Sequence, residues 1–196
     1  RTGHRLRGRA QTAARSRRVN SLHADARAVL DAWASPDDAQ EALRREFLAH
    51  LDAHADAMWR QCAPDHLTGS ALIVRGAEVL LVLHGKAGKW LQMGGHCEPV
   101  DPSLAAVALR EAREESGIDD LSIDPVPLRL SRHSVPFCGG GNHLDVQFLV
   151  TAPPGADPSI GPTDDAVEWF TDAPEPTDQD VRDLIAAARL RLRESP

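Results

Sequence analysis

The residues of this sequence most able to do chemistry are three glutamates, Glu111, Glu114 and Glu115, within one highly charged stretch. In a helix this spacing puts the three carboxylates on a shared face, where they repel one another. A divalent cation removes that repulsion, because clustered carboxylate oxygens suit a hard ion such as Mg²⁺ or Mn²⁺, which can also bridge to phosphate oxygens. A glutamate-rich helix that simply faces solvent is the alternative interpretation.

The flanking residues predict the helix that positions these glutamates. Asp101 is a good N-cap and Pro102 suits the first helical position, while Gly117 can take the left-handed conformation that ends a helix. Small apolar residues recur at the spacing of a buried stripe: Ala105, Ala108, Leu109 and Ala112. The glutamates are therefore expected at the edge of the face that packs on the rest of the domain.

The stretch from Arg110 to Ile118 resembles the second half of the Nudix box, R-E-U-x-E-E-x-G-U, where U is an apolar residue. The full motif, G-x5-E-x7-R-E-U-x-E-E-x-G-U, is long and specific, and Gly95 stands at its first position. The front half departs from it in two ways: Asp101 replaces the first glutamate, and eight residues rather than seven separate it from Arg110. The sequence is therefore similar to the Nudix hydrolases, over roughly residues 68 to 193.

The resemblance implies an α/β fold, a Nudix-like α/β/α sandwich with a mixed sheet, to which this chain adds an N-terminal helical extension. It also implies a divalent-metal-dependent hydrolase that uses Mg²⁺ or Mn²⁺ and cleaves the diphosphate linkage of a nucleoside diphosphate derivative. Metal ions in such chemistry lower the pKa of the attacking water and neutralise phosphate oxygens.

Family roles carry over to the matching positions of the box. Arg110 is expected to orient Glu111, because its guanidinium keeps its charge and can hold a carboxylate in one geometry. The expected metal ligands are three carboxylates and one backbone carbonyl: Glu111, Glu114, Glu115 and the carbonyl of Gly95.

The catalytic base in this family often comes from outside the box helix. Glu168, or the pair Asp164 and Asp165, could supply it from a late part of the chain. Asp101 takes the place of the family's first glutamate and is a further catalytic candidate. As an N-cap, however, it would use its carboxylate on backbone N–H groups and have little chemistry left to perform.

Five residues are candidates for binding the substrate: Lys86, Lys89, Trp90, His143 and Asp145. Both lysines of the chain lie in one loop, where they could hold a polyphosphate, although a solvated hairpin loop is as good an interpretation. The tryptophan could stack on a base or fill the rim of the core. The other two lie with Gln147 on the polar face of a predicted strand, which suggests the wall of a cleft.

A zinc site can be imagined from His96, His133, His143, Cys97 and Cys138. Their spacing fits none of the familiar zinc-ligand patterns, so local structural or substrate-binding roles are favoured.

Hydrophobic periodicity outlines the remaining elements. Two helices are predicted at residues 21–34 and from 35 to about 54, while residues 57–66 are ambiguous between a short helix and a loop. Strands are predicted at 69–74, 78–83, 128–135, 144–150 and 167–170, and a closing amphipathic helix at 178–193. The N-terminal helices need a partner for their apolar faces, and we expect either the Nudix domain or the mate of a possible homodimer.

Composition limits the classes of function. The chain has 196 residues and a net charge of −7, yet its first 18 residues carry seven arginines and no acids, which leaves 15 basic against 29 acidic residues. The acidic body argues against nucleic acid as the main partner, and no apolar run reaches transmembrane length. Three widely spaced cysteines favour a reducing, cytoplasmic setting over a disulfide framework.

We expect a flexible basic leader at 1–18, a helical extension at 19–67 and the Nudix hydrolase domain at 68–196.

Two other functions are compatible with the same sandwich. A Nudix-fold ligand-binding regulator would have lost catalysis, which the irregular front half of the box allows. An isomerase of the isopentenyl diphosphate type would need catalytic Cys and Glu residues in a second motif, and the sequence shows none. The sequence does not identify the substrate. The chain has no tyrosine to carry a diadenosine polyphosphate signature, and it shows no clear signature for ADP-ribose or coenzyme A.

Overall fold

A computed structural model of the chain describes residues 21–85, 87–135, 141–159 and 166–194. The predictions for the basic leader at 1–18, for Lys86, for Cys138 and for the Asp164–Asp165 pair lie outside these residues. None of the helices in the described ranges combines the length and the apolar character needed to cross a membrane.

The elements follow one another in the order α1 (residues 21–32), α2 (Asp38–Ala53), β1 (His66–Arg75), β2 (Glu78–His84), β3 (Lys89–Leu91), β4 (Met93–His96), α3 (Leu104–Ser116), β5 (Ser122–Ile123), β6 (Arg129–Ser134), β7 (Asn142–Thr151), β8 (Ala166–Phe170) and α4 (Gln179–Glu194). The predicted helices and strands are all present, and residues 57–65 form turns. β3, β4 and β5 are additional strands that the hydrophobic periodicity does not predict.

The described residues form one mixed sheet of eight strands with β1 at its centre. β1 runs parallel to β7, from the pair His66 and His143 to the pair Val74 and Thr151. Its other edge is shared, because β4 pairs antiparallel with the first half of β1 and β2 with the second half. The start of β1 therefore lies between β4 and β7.

Helices cover both faces of this sheet, and alternate residues of β1 divide between two cores. Ala71 and Ile73 lie in the core that contains α1, α2 and α3, whereas Leu72 and Val74 lie in the core beneath α4. This alternation follows from the two-residue period of a strand buried on both faces. The fold is the expected α/β/α sandwich with a mixed sheet.

The two N-terminal helices pack on the domain itself. Leu22 and Leu30 of α1 and Phe47 and Leu51 of α2 are at most 1% exposed, and they share one apolar cluster with Leu104 of α3. Of the two arrangements predicted for these helices, the structure shows packing onto the domain.

Polar contacts also tie the N-terminal helices to the domain. The Asp25 carboxylate accepts a hydrogen bond from the Leu104 N–H at 2.8 Å, so α1 satisfies a free N–H at the start of α3. The buried Gln40 amide donates to the Leu130 carbonyl at 3.0 Å and accepts from the Leu130 N–H at 2.7 Å. The Gln40 side chain thus bonds the outer edge of β6 as a neighbouring strand would.

We expect Gln40→Ala to lower the free energy of unfolding by about 1–3 kcal/mol, because it leaves both backbone groups of Leu130 buried without their partner. The matched control is Glu46→Ala, which removes an exposed ion pair to Arg132 (3.0 Å) between the same helix and the same strand and should change stability by less than about 1 kcal/mol. Urea unfolding measures both. Equal effects, or a separate early transition for the N-terminal helices, would contradict this packing.

Candidate functional site

The helix α3 is fixed at both ends by local signals. Ser103 is its N-cap, and the serine side chain accepts a hydrogen bond from the Ala106 N–H at 3.1 Å. Gly117 ends the helix at φ +66°, as predicted. The prediction of Asp101 as the N-cap and Pro102 as the first helical residue is wrong, since both lie in the loop before Ser103.

The buried face of α3 is rotated slightly from the predicted stripe. Ala105 and Leu109 are only partly buried. The fully buried positions are Leu104, Val107, Ala108, Ala112 and Ser116. Glu111 lies beside this stripe, with its side chain 14% exposed, while the side chain of Glu114 is 59% exposed. The glutamates therefore extend from the edge of the core toward solvent.

The guanidinium of Arg110 holds the charged groups of the site together. Its Nε and one terminal nitrogen donate to the two carboxylate oxygens of Asp101, at 3.0 and 3.1 Å. The other terminal nitrogen donates to Glu111 at 2.8 Å and to Glu114 at 3.2 Å. A fifth bond, of 2.9 Å, reaches the carbonyl of His96. These contacts match the five N–H groups that an arginine possesses.

Asp101 is committed to Arg110 instead of to the helix start. Its side chain is 4% exposed, and besides the guanidinium it accepts the N–H of Glu98 at 2.7 Å. The backbone closes the same turn, because the Asp101 N–H donates to the Glu98 carbonyl at 3.0 Å. A buried, bidentate ion pair outcompetes the capping role that the local sequence favoured.

Gly95 of β4 lets α3 approach the strand closely, and Gly94 leaves room for the side chain of Ser70 on β1. A Cβ atom on Gly95 would lie 2.5 Å from the carboxyl carbon of Glu111, and one on Gly94 would collide with the side chain of Ser70. The Gly94 N–H donates to the Glu115 carboxylate at 3.1 Å. Only glycine leaves room for this contact between helix and strand.

The charges at this site favour a cation. Burial raises the pKa of Glu111, Arg110 opposes the rise, and Glu114 and Asp101 add to it. Burial alone would lower the pKa of Arg110, but its bonds and charge interactions with Asp101 and Glu111 raise it. Three carboxylates contact one guanidinium, those of Asp101, Glu111 and Glu114, which leaves an excess of negative charge. The oxygen donors on one helical face, next to the main chain of Gly95, fit a hard divalent ion such as Mg²⁺ or Mn²⁺.

The other predicted residues lie on different parts of the sheet. Lys89 forms an ion pair with Asp178 at 2.6 Å. Trp90 packs edge to face on Phe170, with ring centres 4.8 Å apart, beside the core under α4. Glu168 is exposed on β8, and its role as a base stays a prediction.

Two of the polar side chains on β7, those of Asp145 and Gln147, are buried away from solvent. Asp145 is 2% exposed and accepts hydrogen bonds from Thr68 at 2.8 Å and Ser70 at 2.5 Å, and Gln147 is fully buried. Burial raises the pKa of the Asp145 carboxyl. Asp145 therefore fastens β7 to β1, and a direct contact with substrate stays a prediction for it.

Three histidines from three strands meet at the start of β1. The ring centres of His66, His96 and His143 lie 4.9 to 5.1 Å apart, and His133 lies 5.5 Å from His143. Burial, with neighbouring histidines contributing, lowers the pKa of His96 to about 4 and that of His143 to about 3. The sequence drew attention to three of these residues but missed His66, because spacing along the chain does not reveal the pairing of β1 with β7.

Cys97 is the fourth described member of the zinc set considered from the sequence. It points away from these histidines into the core that contains α1, α2 and α3. Its Sγ lies 3.7 Å from the Leu67 carbonyl, and burial raises the pKa of its thiol to about 12. The cysteine is therefore a neutral core residue.

Known proteins share the architecture of this chain. A family model described as NUDIX domain matches residues 65–187. A NUDIX family hydrolase from Clostridium perfringens is 24% identical, with a TM-score of 0.53, covering 66% of this chain and 98% of its own. The MutT protein from Methanosarcina mazei Go1 is 20% identical, with a TM-score of 0.54, covering 67% and 97%.

A third solved structure is the binary complex of a C. elegans Ap4A hydrolase, which is 17% identical, with a TM-score of 0.52, covering 65% of this chain and 97% of its own. No curated protein matches the sequence. At these identities the solved structures show the shared fold, and the domain match spans well over half of the chain. The chain therefore belongs to the Nudix hydrolase family.

Proposed function

We propose that this chain is a divalent-metal-dependent hydrolase that cleaves the diphosphate linkage of a nucleoside diphosphate derivative. The observation that carries the proposal is the cluster around Arg110, in which one guanidinium holds Asp101, Glu111 and Glu114 beside the glycines of β4. The substrate class rests on family membership, because the solved relatives are too distant to specify it.

The residues proposed to hold Mg²⁺ or Mn²⁺ are Glu111, Glu114, Glu115 and the carbonyl of Gly95. When bound, the ion would neutralise phosphate oxygens and lower the pKa of the attacking water. Glu111 is oriented by Arg110, and Glu115 is oriented by the Gly94 N–H. Glu114 is exposed, whereas Glu111 and Glu115 are half-buried.

The irregular front half of the box supports the same function. The inserted residue lies N-terminal to Arg110, so it does not change the relation among three glutamates that follow it on one helix. The shorter Asp101 still reaches Arg110 with both carboxylate oxygens. These contacts favour an intact catalytic site over a ligand-binding regulator that has lost catalysis.

The proposed base and substrate contacts come from outside the box. We propose Glu168 as the base, because it is an exposed carboxylate on β8. The proposed substrate residues are Lys86, Lys89, Trp90, His143 and Asp145, of which Lys89 must exchange its bond to Asp178 for a phosphate oxygen.

We expect at least one nucleoside diphosphate derivative in a substrate panel to be cleaved to a mononucleotide with Mg²⁺ or Mn²⁺, as measured by chromatography of the products. Glu114→Gln and Glu115→Gln should each lower kcat/KM by at least about a hundredfold, because a metal ligand matters more than the outer residues whose loss costs roughly 10–100-fold. Binding without cleavage would favour a regulator, and rearrangement without loss of phosphate would favour an isomerase.

The matched control for these substitutions is Glu98→Gln, which removes an exposed carboxylate from the loop before α3. It should leave kcat/KM within about twofold of the original, because the side chain is exposed and the substitution keeps the backbone groups through which Glu98 contacts Asp101. An equal loss in this variant, or full activity in Glu115→Gln, would remove the metal-ligand assignment.

A second prediction distinguishes the roles of Arg110 and Arg113, the two arginines of α3. Arg110→Lys should lower both stability and kcat, because three ammonium donors cannot replace five guanidinium donors, and a broken buried ion pair costs about 3 kcal/mol or more. Asp101→Asn should act in the same direction, since it removes the bidentate partner. Urea unfolding and steady-state kinetics measure the two effects.

Arg113→Lys is the control for Arg110→Lys, because Arg113 is exposed on the same helix and donates to the Asp119 carbonyl at 3.0 Å. It should leave kcat unchanged. If Asp101→Asn keeps full activity and stability while Arg110→Lys loses both, Asp101 is not the residue that fixes Arg110.

A further inference from the structure

We propose that His66, His96 and His143 form a second metal site, which binds Zn²⁺ through imidazole nitrogens and is separate from the carboxylates of the Nudix box. One ring nitrogen from each histidine lies within 4.8 Å of those of the other two. This site does not depend on the proposed hydrolase activity.

The sheet places the three side chains on one face. His66 of β1 is paired directly with His143 of β7, and His96 of β4 is paired with Thr68, two residues further along β1. Residues two apart on a strand point to the same face, so His66 and Thr68 share a side and their cross-strand partners share it too. Three rigid strands thus supply one ligand each.

The ring spacing suits coordination of a single ion. The ring centres are separated by 5.1 Å between His66 and His96 and by 4.9 Å from each of these to His143. Three imidazoles on one tetrahedral ion with Zn–N bonds of about 2.0–2.1 Å have ring centres roughly 5 Å apart. Small side-chain rotations are therefore sufficient to bring the nitrogens to one ion.

The buried Nε2 atom of His143 is a second, independent sign of a ligand. Among the described residues it has no hydrogen-bond partner. A buried polar nitrogen without a partner costs free energy, and coordination to a metal ion would remove that cost. Simple packing of histidines against one another gives no such compensation.

The chemistry of the donors selects the type of metal. Imidazole nitrogens suit Zn²⁺, whereas Mg²⁺ prefers oxygen ligands, so the histidines and the box glutamates attract different ions. Three protein ligands leave a fourth tetrahedral position for water or an anionic oxygen. His66 is buried, whereas His96 and His143 are half-buried. The fourth position is therefore open on the side of His96 and His143.

His133 is not needed as a fourth ligand. It is exposed, and its Nδ1 lies 3.3 Å from the hydroxyl of Ser131. It stands next to His143 on the neighbouring strand and so provides a matched histidine that can be removed as a control.

The test uses the full chain, stripped of metal with a chelator and then titrated with Zn²⁺ against a chromogenic chelator in excess Mg²⁺. We expect one tightly bound Zn²⁺ per chain, and at least a hundredfold weaker binding in His143→Ala. His133→Ala and Glu115→Gln should keep the tight site. Unchanged affinity in His143→Ala would overturn the proposal, as would loss of zinc in Glu115→Gln, which would assign the ion to the box.

A second measurement guards against a variant that does not fold. Circular dichroism of metal-free His143→Ala checks its fold, and His96→Gln carries the same prediction if His143→Ala fails that check. Co²⁺ in place of Zn²⁺ should give the original chain the intense visible absorption of a four-coordinate site with nitrogen ligands. The weak spectrum of a six-coordinate oxygen site would overturn the assignment.

Discussion

The site depends on one interaction, the half-buried guanidinium of Arg110 between Asp101 on one side and Glu111 on the other. Without it, the acids of this loop and helix would repel one another, although the apolar face of α3 would still pack on the sheet. A planar fork with fixed charge can satisfy several acceptors at once, and here it also takes the carbonyl of His96. The same contact that orients a carboxylate therefore docks the helix on its strand.

That docking reaches beyond the matched domain. The N–H of Leu104, at the start of α3, is bonded by Asp25 of α1, which lies outside residues 65–187. Burial raises the pKa of Asp25, and its bond to Leu104 opposes the rise. The N-terminal helices thus form part of the core that supports the site, and the position of the glutamates depends on residues that the family motif does not contain.

Local sequence signals correctly predicted those features of α3 that depend only on neighbouring residues. The glutamate face and the stop at Gly117 follow from helical spacing and from the left-handed conformation of glycine. The N-cap prediction failed because Asp101 has a stronger partner, Arg110, nine residues away. β5 is two residues long and shows no period, and His66 was missed because its neighbour His143 is distant in sequence. Each failure involves a tertiary contact that prevails over a local preference or has no local signature.

Side chains along β4 alternate between the two faces of the sheet, and this keeps the two proposed sets of metal ligands on opposite faces although they lie close together. The position of a Cβ on Gly95 faces Glu111, whereas that on Gly94 faces Ser70, so successive residues of β4 point to opposite sides of the sheet. His96 follows Gly94 by two residues and lies on the side away from α3. The strand therefore separates oxygen donors from the nitrogen donors of the proposed zinc site. The proposed box site offers oxygen donors to a hard ion and the proposed zinc site offers nitrogen donors, so one short strand could serve both.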